Sequence, residues 1–239
     1  MNRSILALAA AVAATSWPTV ALADLAFNVG AVSDYRYRGI SQTRLKPAIQ
    51  GGADFTSGGL YIGVWASTIK WIEDFGGDAK VEVDIYAGYK RELSPGLSYD
   101  FGVLRYEYPS NKLRPSANTT ELYGAFTFGP ATLKYSHAIT DTFGNLNSKN
   151  SAYIDLSAGF DVGGGVMLTP HLGYQKIGGP FNEVGSYADY SITVSKDFSG
   201  LVLSAALVGT DAEKGFYSSP VNGKELGKGG IAVGAKFSF

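Results

Sequence analysis

Lys80-Val81-Glu82-Val83-Asp84-Ile85-Tyr86-Ala87-Gly88-Tyr89-Lys90 sets an apolar or aromatic residue at every odd position. Each even position holds a charged, hydroxyl-bearing or small residue. Successive side chains of a β-strand point to opposite faces, so this segment forms a strand with one apolar and one polar face. A helix would scatter the same residues around its axis. The pattern recurs. Ile154, Leu156, Ala158 and Phe160 alternate with Tyr153, Asp155, Ser157, Gly159 and Asp161. Ala188, Tyr190, Ile192 and Val194 alternate with Asp189, Ser191, Thr193 and Ser195. At the end of the chain Ile231, Val233, Ala235, Phe237 and Phe239 alternate with Gly230, Ala232, Gly234, Lys236 and Ser238.

Working outward from these segments, the sequence predicts twelve strands, over 25–35, 46–56, 60–69, 79–92, 97–108, 118–128, 131–140, 151–162, 166–176, 187–197, 201–210 and 228–239. Two kinds of connection alternate between them. The short ones are Ser57-Gly58-Gly59, Leu93-Ser94-Pro95-Gly96, Gly129-Pro130, Gly163-Gly164-Gly165 and Phe198-Ser199-Gly200, all with the Gly or Pro that tight hairpins need. The long ones, near 36–45, 70–78, 109–117, 141–150, 177–186 and 211–227, are polar. Short turns on one rim and long loops on the other are the pattern of bacterial outer-membrane barrels. The N-terminus fits export. Arg3 precedes an apolar run from Ile5 to Ala14, and Ala21-Leu22-Ala23 stands before Asp24. These are the parts of a signal peptide over 1–23, leaving 24–239 as one all-β domain, a transmembrane antiparallel up-and-down barrel.

Composition narrows the alternatives. With 20 basic and 21 acidic residues the chain has no field that would favour nucleic acid. It has no cysteine, which excludes disulfide frameworks and thiolate metal sites. No segment after Ala23 approaches the roughly 18 consecutive apolar residues of a membrane helix. The remaining choice is between a soluble barrel with an apolar interior and a membrane barrel with an apolar exterior. About eight strands already enclose a ligand-sized interior, so twelve with apolar lumenal faces would surround a void that side chains cannot fill. Aromatic residues also gather at strand ends. Phe27, Phe55, Tyr61, Tyr89, Tyr99, Phe126, Phe128, Phe160, Phe198 and Phe239 lie towards the short turns, and Tyr35, Tyr37, Trp71, Tyr106, Tyr108, Tyr135 and Tyr174 towards the long loops. Paired girdles of this kind mark the two interfaces of a bilayer.

The chain ends Ala235-Lys236-Phe237-Ser238-Phe239, similar to the terminal-strand signal read by the barrel-assembly machinery. Ser33-Asp34-Tyr35-Arg36-Tyr37-Arg38-Gly39-Ile40-Ser41-Gln42-Thr43 resembles the opening block of the TorF-like group of proteobacterial porins. Pro47-Ala48-Ile49-Gln50-Gly51-Gly52 and Gly59-Leu60-Tyr61-Ile62-Gly63-Val64-Trp65-Ala66-Ser67 fit the same group. The resemblance implies an outer-membrane channel of a Gram-negative bacterium, without catalytic residues and with no defined solute.

By parity the lumen should be lined by Asp34, Asp54, Lys80, Glu82, Asp84, Lys90, Asp100, Glu121, Lys134, Asp155, Asp189 and Lys236. Such charges either set the ion selectivity of a pore or pair across the lumen and plug it. Acidic residues outnumber basic ones, which leans a pore towards cations. Arg36 and Arg38, between Tyr35 and Tyr37, form a basic cluster at the long-loop rim. They hold lipopolysaccharide phosphates, line an outer constriction, or tie the loop to the wall. The expected partners are outer-membrane lipids, lipopolysaccharide, the assembly machinery and small hydrophilic solutes, and a homo-oligomer is compatible with the sequence. A second reading is a non-conducting structural or adhesive barrel. A third, an outer-membrane lipid hydrolase, lacks a local nucleophile and base. Neither His137, followed by Ala138-Ile139, nor His171, followed by Leu172-Gly173, has a serine two residues on. His137 shares parity with Leu133 and Tyr135 and should sit in the girdle, while His171 should line the lumen. Gly163 to Gly165 is a turn and not a phosphate cradle, and Glu73, Asp74 and Asp78 lack the ligand spacing of a calcium loop, which leaves no cofactor or metal to expect.

The terminal strand generates a first test. Deleting Phe239 should lower the amount of folded protein in the outer membrane, read as the heat-modifiable band on unboiled gels. An unchanged folded yield in cells would show that the terminal residue is not a sorting signal.

Overall fold

A computed structural model describes residues 23–239, and the expected signal peptide over 1–23 lies outside the described residues apart from Ala23. Twelve strands form the wall: β1 (Asp24–Val32), β2 (Ala48–Ser57), β3 (Leu60–Thr68), β4 (Val81–Ser94), β5 (Leu97–Glu107), β6 (Thr119–Phe128), β7 (Ala131–Ala138), β8 (Ala152–Ala158, resuming at Phe160–Asp161), β9 (Val166–Lys176), β10 (Tyr187–Phe198), β11 (Leu201–Thr210) and β12 (Gly230–Ser238). Each pairs antiparallel with its neighbours in sequence, and β12 returns to β1 through Asn28↔Ser238 to Val32↔Gly234. The sheet is therefore closed, with no unpaired edge. Phe239 helps to seal the seam. Its backbone exchanges hydrogen bonds with Phe27, and its ring stacks on Phe27 and Phe237 at 5.9 and 5.8 Å.

Local chemistry fixes the register. At the β2–β3 turn Ser57 pairs with Leu60, and the two residues between, Gly58 and Gly59, both adopt positive φ (56° and 90°). That is the backbone of a two-residue hairpin whose twist matches the strands it joins. Ser199 and Gly200 do the same between Phe198 and Leu201, with φ of 59° and 101°.

The facing follows the alternation and is the reverse of a soluble barrel. Leu25, Phe27 and Val29 of β1, Ile62 and Val64 of β3, Ile192 and Val194 of β10, and Ile231 and Val233 of β12 all point outward and are exposed. Ile85 is 48% exposed whereas Glu82, on the opposite face of β4, is 1% exposed. Lipid tails are as apolar as leucine, so this surface is stable in a bilayer and unstable in water. Among the described residues no helix is long and apolar enough to cross a membrane.

The girdles need correction. Towards the short turns, Phe27, Phe55, Phe126, Phe128, Phe160, Phe198 and Phe239 do face outward, but Tyr61 points into the lumen, where its hydroxyl bonds Asp100. Parity explains this, because Leu60 and Ile62 take the outer face of β3. Towards the long loops only Tyr135 and Tyr174 of the expected set are exposed outside, with Tyr190 below them. Tyr35, Tyr37, Trp71, Tyr106 and Tyr108 instead pack together inside the long-loop end. Tyr37 and Phe143 lie 5.5 and 5.2 Å from Tyr106, and Trp71 lies 5.2 Å from Tyr108. Tyr106 falls on the inner face because Phe101 and Val103 hold the outer one. Tyr35 and Tyr37 lie beyond β1, where strand parity no longer applies.

The facing predicts a contrast on β10. Ile192 lies halfway along the strand, facing lipid, and Thr193 faces the lumen. Ile192→Arg should cost about 2–4 kcal/mol, the price of arginine at a lipid-facing midplane. Thr193→Arg, hydrated inside, should cost much less. Denaturant titrations in liposomes measure both, and a larger loss from Thr193→Arg would reverse the assignment.

Candidate functional site

The lumen has two unlike ends. Towards the short turns the inner wall is a lattice of tyrosines and charges. Tyr61 donates to Asp100 Oδ1 at 2.5 Å, Tyr86 donates to Asp54, and the Tyr61 and Tyr123 hydroxyls are also bonded. Lys134 lies over the Tyr123 ring, 4.2 Å from its centroid. Lys90 pairs in register with Asp100, and Lys236 projects from the inner face of β12. These groups are partly exposed to the lumen. Further along, His171 Nε2 is 2.6 Å from Asp155 Oδ2, and its Nδ1 is 3.6 Å from Asp189 Oδ1. Tyr153 donates to Asp189 Oδ2 at 3.0 Å.

The long-loop end is filled by the chain between β1 and β2. Arg36-Tyr37 pairs with Ile40-Ser41 as a small hairpin, and the two tip residues, Arg38 and Gly39, adopt φ of 47° and 78°. Two positive φ values make another tight hairpin turn, here one that folds back into the barrel. Gly39 lies so close to the wall that a Cβ would meet Thr210 Cγ2 at 2.3 Å and Asp189 Cβ at 2.9 Å, so only glycine fits. From the same tip Arg38 crosses the lumen. Its Nη2 donates to Glu121 Oε2 on β6 at 2.7 Å and its Nη1 to Gln175 Oε1 on β9 at 2.5 Å. Its guanidinium lies 4.2 Å from the Tyr153 ring centroid, a cation–π contact. The tip thus touches β6, β8, β9, β10 and β11 together. Burial works against charge on Arg38, but the Glu121 carboxylate together with Tyr37 and Tyr106 outweighs it and holds the guanidinium above its ordinary pKa.

The base of the hairpin is bound as well. Tyr35 donates to Glu82 Oε1 at 2.7 Å. Asp34 accepts from Ser41 Oγ at 2.5 Å and pairs with Arg36. Arg36 also donates to the carbonyls of Gly39, Leu226 and Lys228, and Ser41 N donates to Leu226 O, which joins the hairpin to the loop after β11. Asp74 joins a third loop by pairing with Arg44 and accepting from Ser219 Oγ at 2.8 Å.

The expected site residues therefore divide. Asp54, Lys90, Asp100, Lys134, Asp155 and Lys236 lie on the inner wall, and Glu82, Asp84, Glu121 and Asp189 surround the hairpin. Asp34 belongs to the hairpin's own bonding. Lys80 departs from the set. It precedes β4 at the rim, with its side chain 70% exposed and 3.7 Å from Glu73. Arg36 and Arg38 are not an outward rim cluster. Arg38 is buried and Arg36 half-buried, and they diverge, Arg36 to loop carbonyls and Arg38 across the lumen, because the chain turns inward after Val32. The contacts of this pair tie the loop to the wall and to the loop after β11. Asp74 is buried and paired with Arg44. His137 faces outward, stacked on Tyr135, and His171 faces inward as expected. Of the inward tyrosines, Tyr86 and Tyr153 stand on the polar faces that the alternation assigns, Tyr61 is the one expected in the girdle, and Tyr123 is marked inward by its parity with Glu121.

Comparison with solved structures places the fold among outer-membrane channels. The KdgM porin, in a complex with disordered oligogalacturonate, is 8% identical over 91% of this chain and 99% of its own, with a TM-score of 0.55. The NanC porin is 10% identical over 90% and 99%, also at 0.55. An outer membrane channel from Pseudomonas putida F1 is 12% identical over 93% and 96%, at 0.50. At such identities the likeness is one of fold. A comparison with curated proteins finds no match in sequence. The family model that matches is described only as a bacterial protein of unknown function, so the finer likeness to the TorF-like group is not part of what it carries. Its match spans residues 18–239, nearly the whole chain, and the protein belongs to this family, Gcw_chp.

Proposed function

We propose that the protein is a porin-like channel of the Gram-negative outer membrane, of the TorF-like kind, exported by a signal peptide over 1–23 and passing small hydrophilic solutes or ions by diffusion. One observation carries this reading: an apolar exterior encloses an inner wall that carries charged and hydroxyl side chains from the short-turn rim up to the hairpin. A barrel built only to anchor loops has no need of Asp54, Lys90, Asp100, Lys134, Asp155 and Lys236 along its inside. Water must hydrate those charges, and a water-filled lumen is a route for solutes. The fold shared with the KdgM and NanC porins supports the same reading. His171 stands in register opposite Ser157 and Ser191, but its ring bonds Asp155 and Tyr153 and faces Asp189, so no nucleophile–base pair is assigned to it.

Carboxylates dominate the interior. Asp54, Glu82, Asp84, Asp100, Glu121, Asp155 and Asp189 face Arg38, Lys90, Lys134 and Lys236, so the lumen should favour cations. The reading is tested on refolded protein in planar bilayers under a salt gradient. The reversal potential should show cation preference. Asp54→Asn with Asp100→Asn, which keeps an acceptor for Tyr86 and Tyr61, should move that preference towards zero. A reversal potential left unaltered while conductance persists would remove these residues from the ion path.

A further inference from the structure

We propose that the hairpin tipped by Arg38 and Gly39 is a displaceable plug, latched across the lumen to Glu121 and Gln175, that shuts the channel until it withdraws towards the long-loop side. The inference rests on the channel reading above and adds where and how the path is closed.

Three observations carry it. The first is reach. One tip presses Gly39 against Thr210 on β11 and Asp189 on β10 while Arg38 binds Gln175 on the adjacent β9 and reaches Glu121 on β6, five strands round from β11, so a single turn bridges the barrel. Only a segment that spans the lumen can close it. The second is the kind of bond. Arg38, Tyr35 and Asp34 are held by ion pairs and hydrogen bonds, which water can replace. When the hairpin leaves, Glu82, Glu121, Gln175 and Asp189 become hydrated pore wall, while the ring contacts of Tyr35 with Trp65 and of Tyr37 with Tyr106 and Phe143 are what opening must break besides the latch. The third is the connection to the outside. Arg36 and Ser41 bind Leu226 and Lys228, and Ile40 packs with Leu226 and Tyr187. The hairpin is thereby coupled to the loop between β11 and β12, and a contact on that loop can reach the plug.

The chain contains no cysteine, so an introduced pair forms a unique bridge. Arg38→Cys with Glu121→Cys removes both members of the buried pair and lets a bifunctional methanethiosulfonate reagent span the gap that their side chains bridge. In planar bilayers this double variant should lose conductance when cross-linked and regain it on reduction. Cutting the latch should act the other way. Arg38→Ala with Glu121→Gln leaves no unpaired buried charge and should raise open probability several-fold over wild type, with the heat-modifiable band confirming folding. Replacing residues 36–41 by a Gly-Ser linker should leave the pore permanently open. Conductance unaffected by the cross-link, or no gain on cutting the latch while wild type conducts, would overturn the plug. If every folded variant is silent, including the one without the hairpin, the channel reading itself fails and the plug with it.

Discussion

A backbone crossing hydrocarbon finds no water for its N–H and C=O groups, and every other feature of this protein follows from how that demand is met. Twelve strands paired in sequence order, closed by β12 on β1, leave no ladder unsatisfied. Closure then forces a division of side chains. Every odd–even pair along a strand sends one residue to lipid and one inside, so an apolar exterior obliges the alternate positions to form an interior. With twelve strands that interior is too wide for wall side chains to fill. It must be hydrated, or something else must enter it.

Both solutions occur. Near the short turns the tyrosine–aspartate lattice and the lysines line a hydrated space. Near the long loops the chain itself enters, and the Arg38–Gly39 turn meets the wall on both sides. The Arg38–Glu121 pair shows how the two are balanced. A buried guanidinium without a partner would be severely unfavourable. Removing one member of such a pair costs about 3–5 kcal/mol, so the hairpin and the β6 wall stabilise each other only in this arrangement. The aromatic cluster of Tyr37, Tyr106, Phe143, Trp71 and Tyr108 adds apolar burial above it and gives the long loops a small core of their own.

Much of the wall was legible in the sequence. The alternation in 80–90 gave β4 and its facing, and the Gly and Pro turns placed the hairpins. Strand ends differed by only a few residues, as at 79–92 against Val81–Ser94. The interior of the loops was not legible. Strand parity is a local rule that stops at Val32, and beyond it nothing in Tyr35-Arg36-Tyr37-Arg38 says whether the side chains meet lipid, solvent or the barrel. Their place depends on Glu121 and Gln175, distant in sequence. The Arg38-Gly39 pair carried one usable sign, since a residue followed by glycine suits a two-residue turn. Tyr61 and Tyr106 were misplaced for a simpler reason: closeness to a strand end was weighed above their parity.

The central claim is that the apolar face looks outward and the polar face inward. Spin labels placed singly along 188–198 of β10 in liposomes, using the absence of native cysteine, test it most directly. Collision with oxygen, which concentrates in hydrocarbon, should peak at even positions, and collision with a water-soluble nickel chelate should be lowest there. The same two-residue period with the opposite phase, or no period at all, would contradict the account.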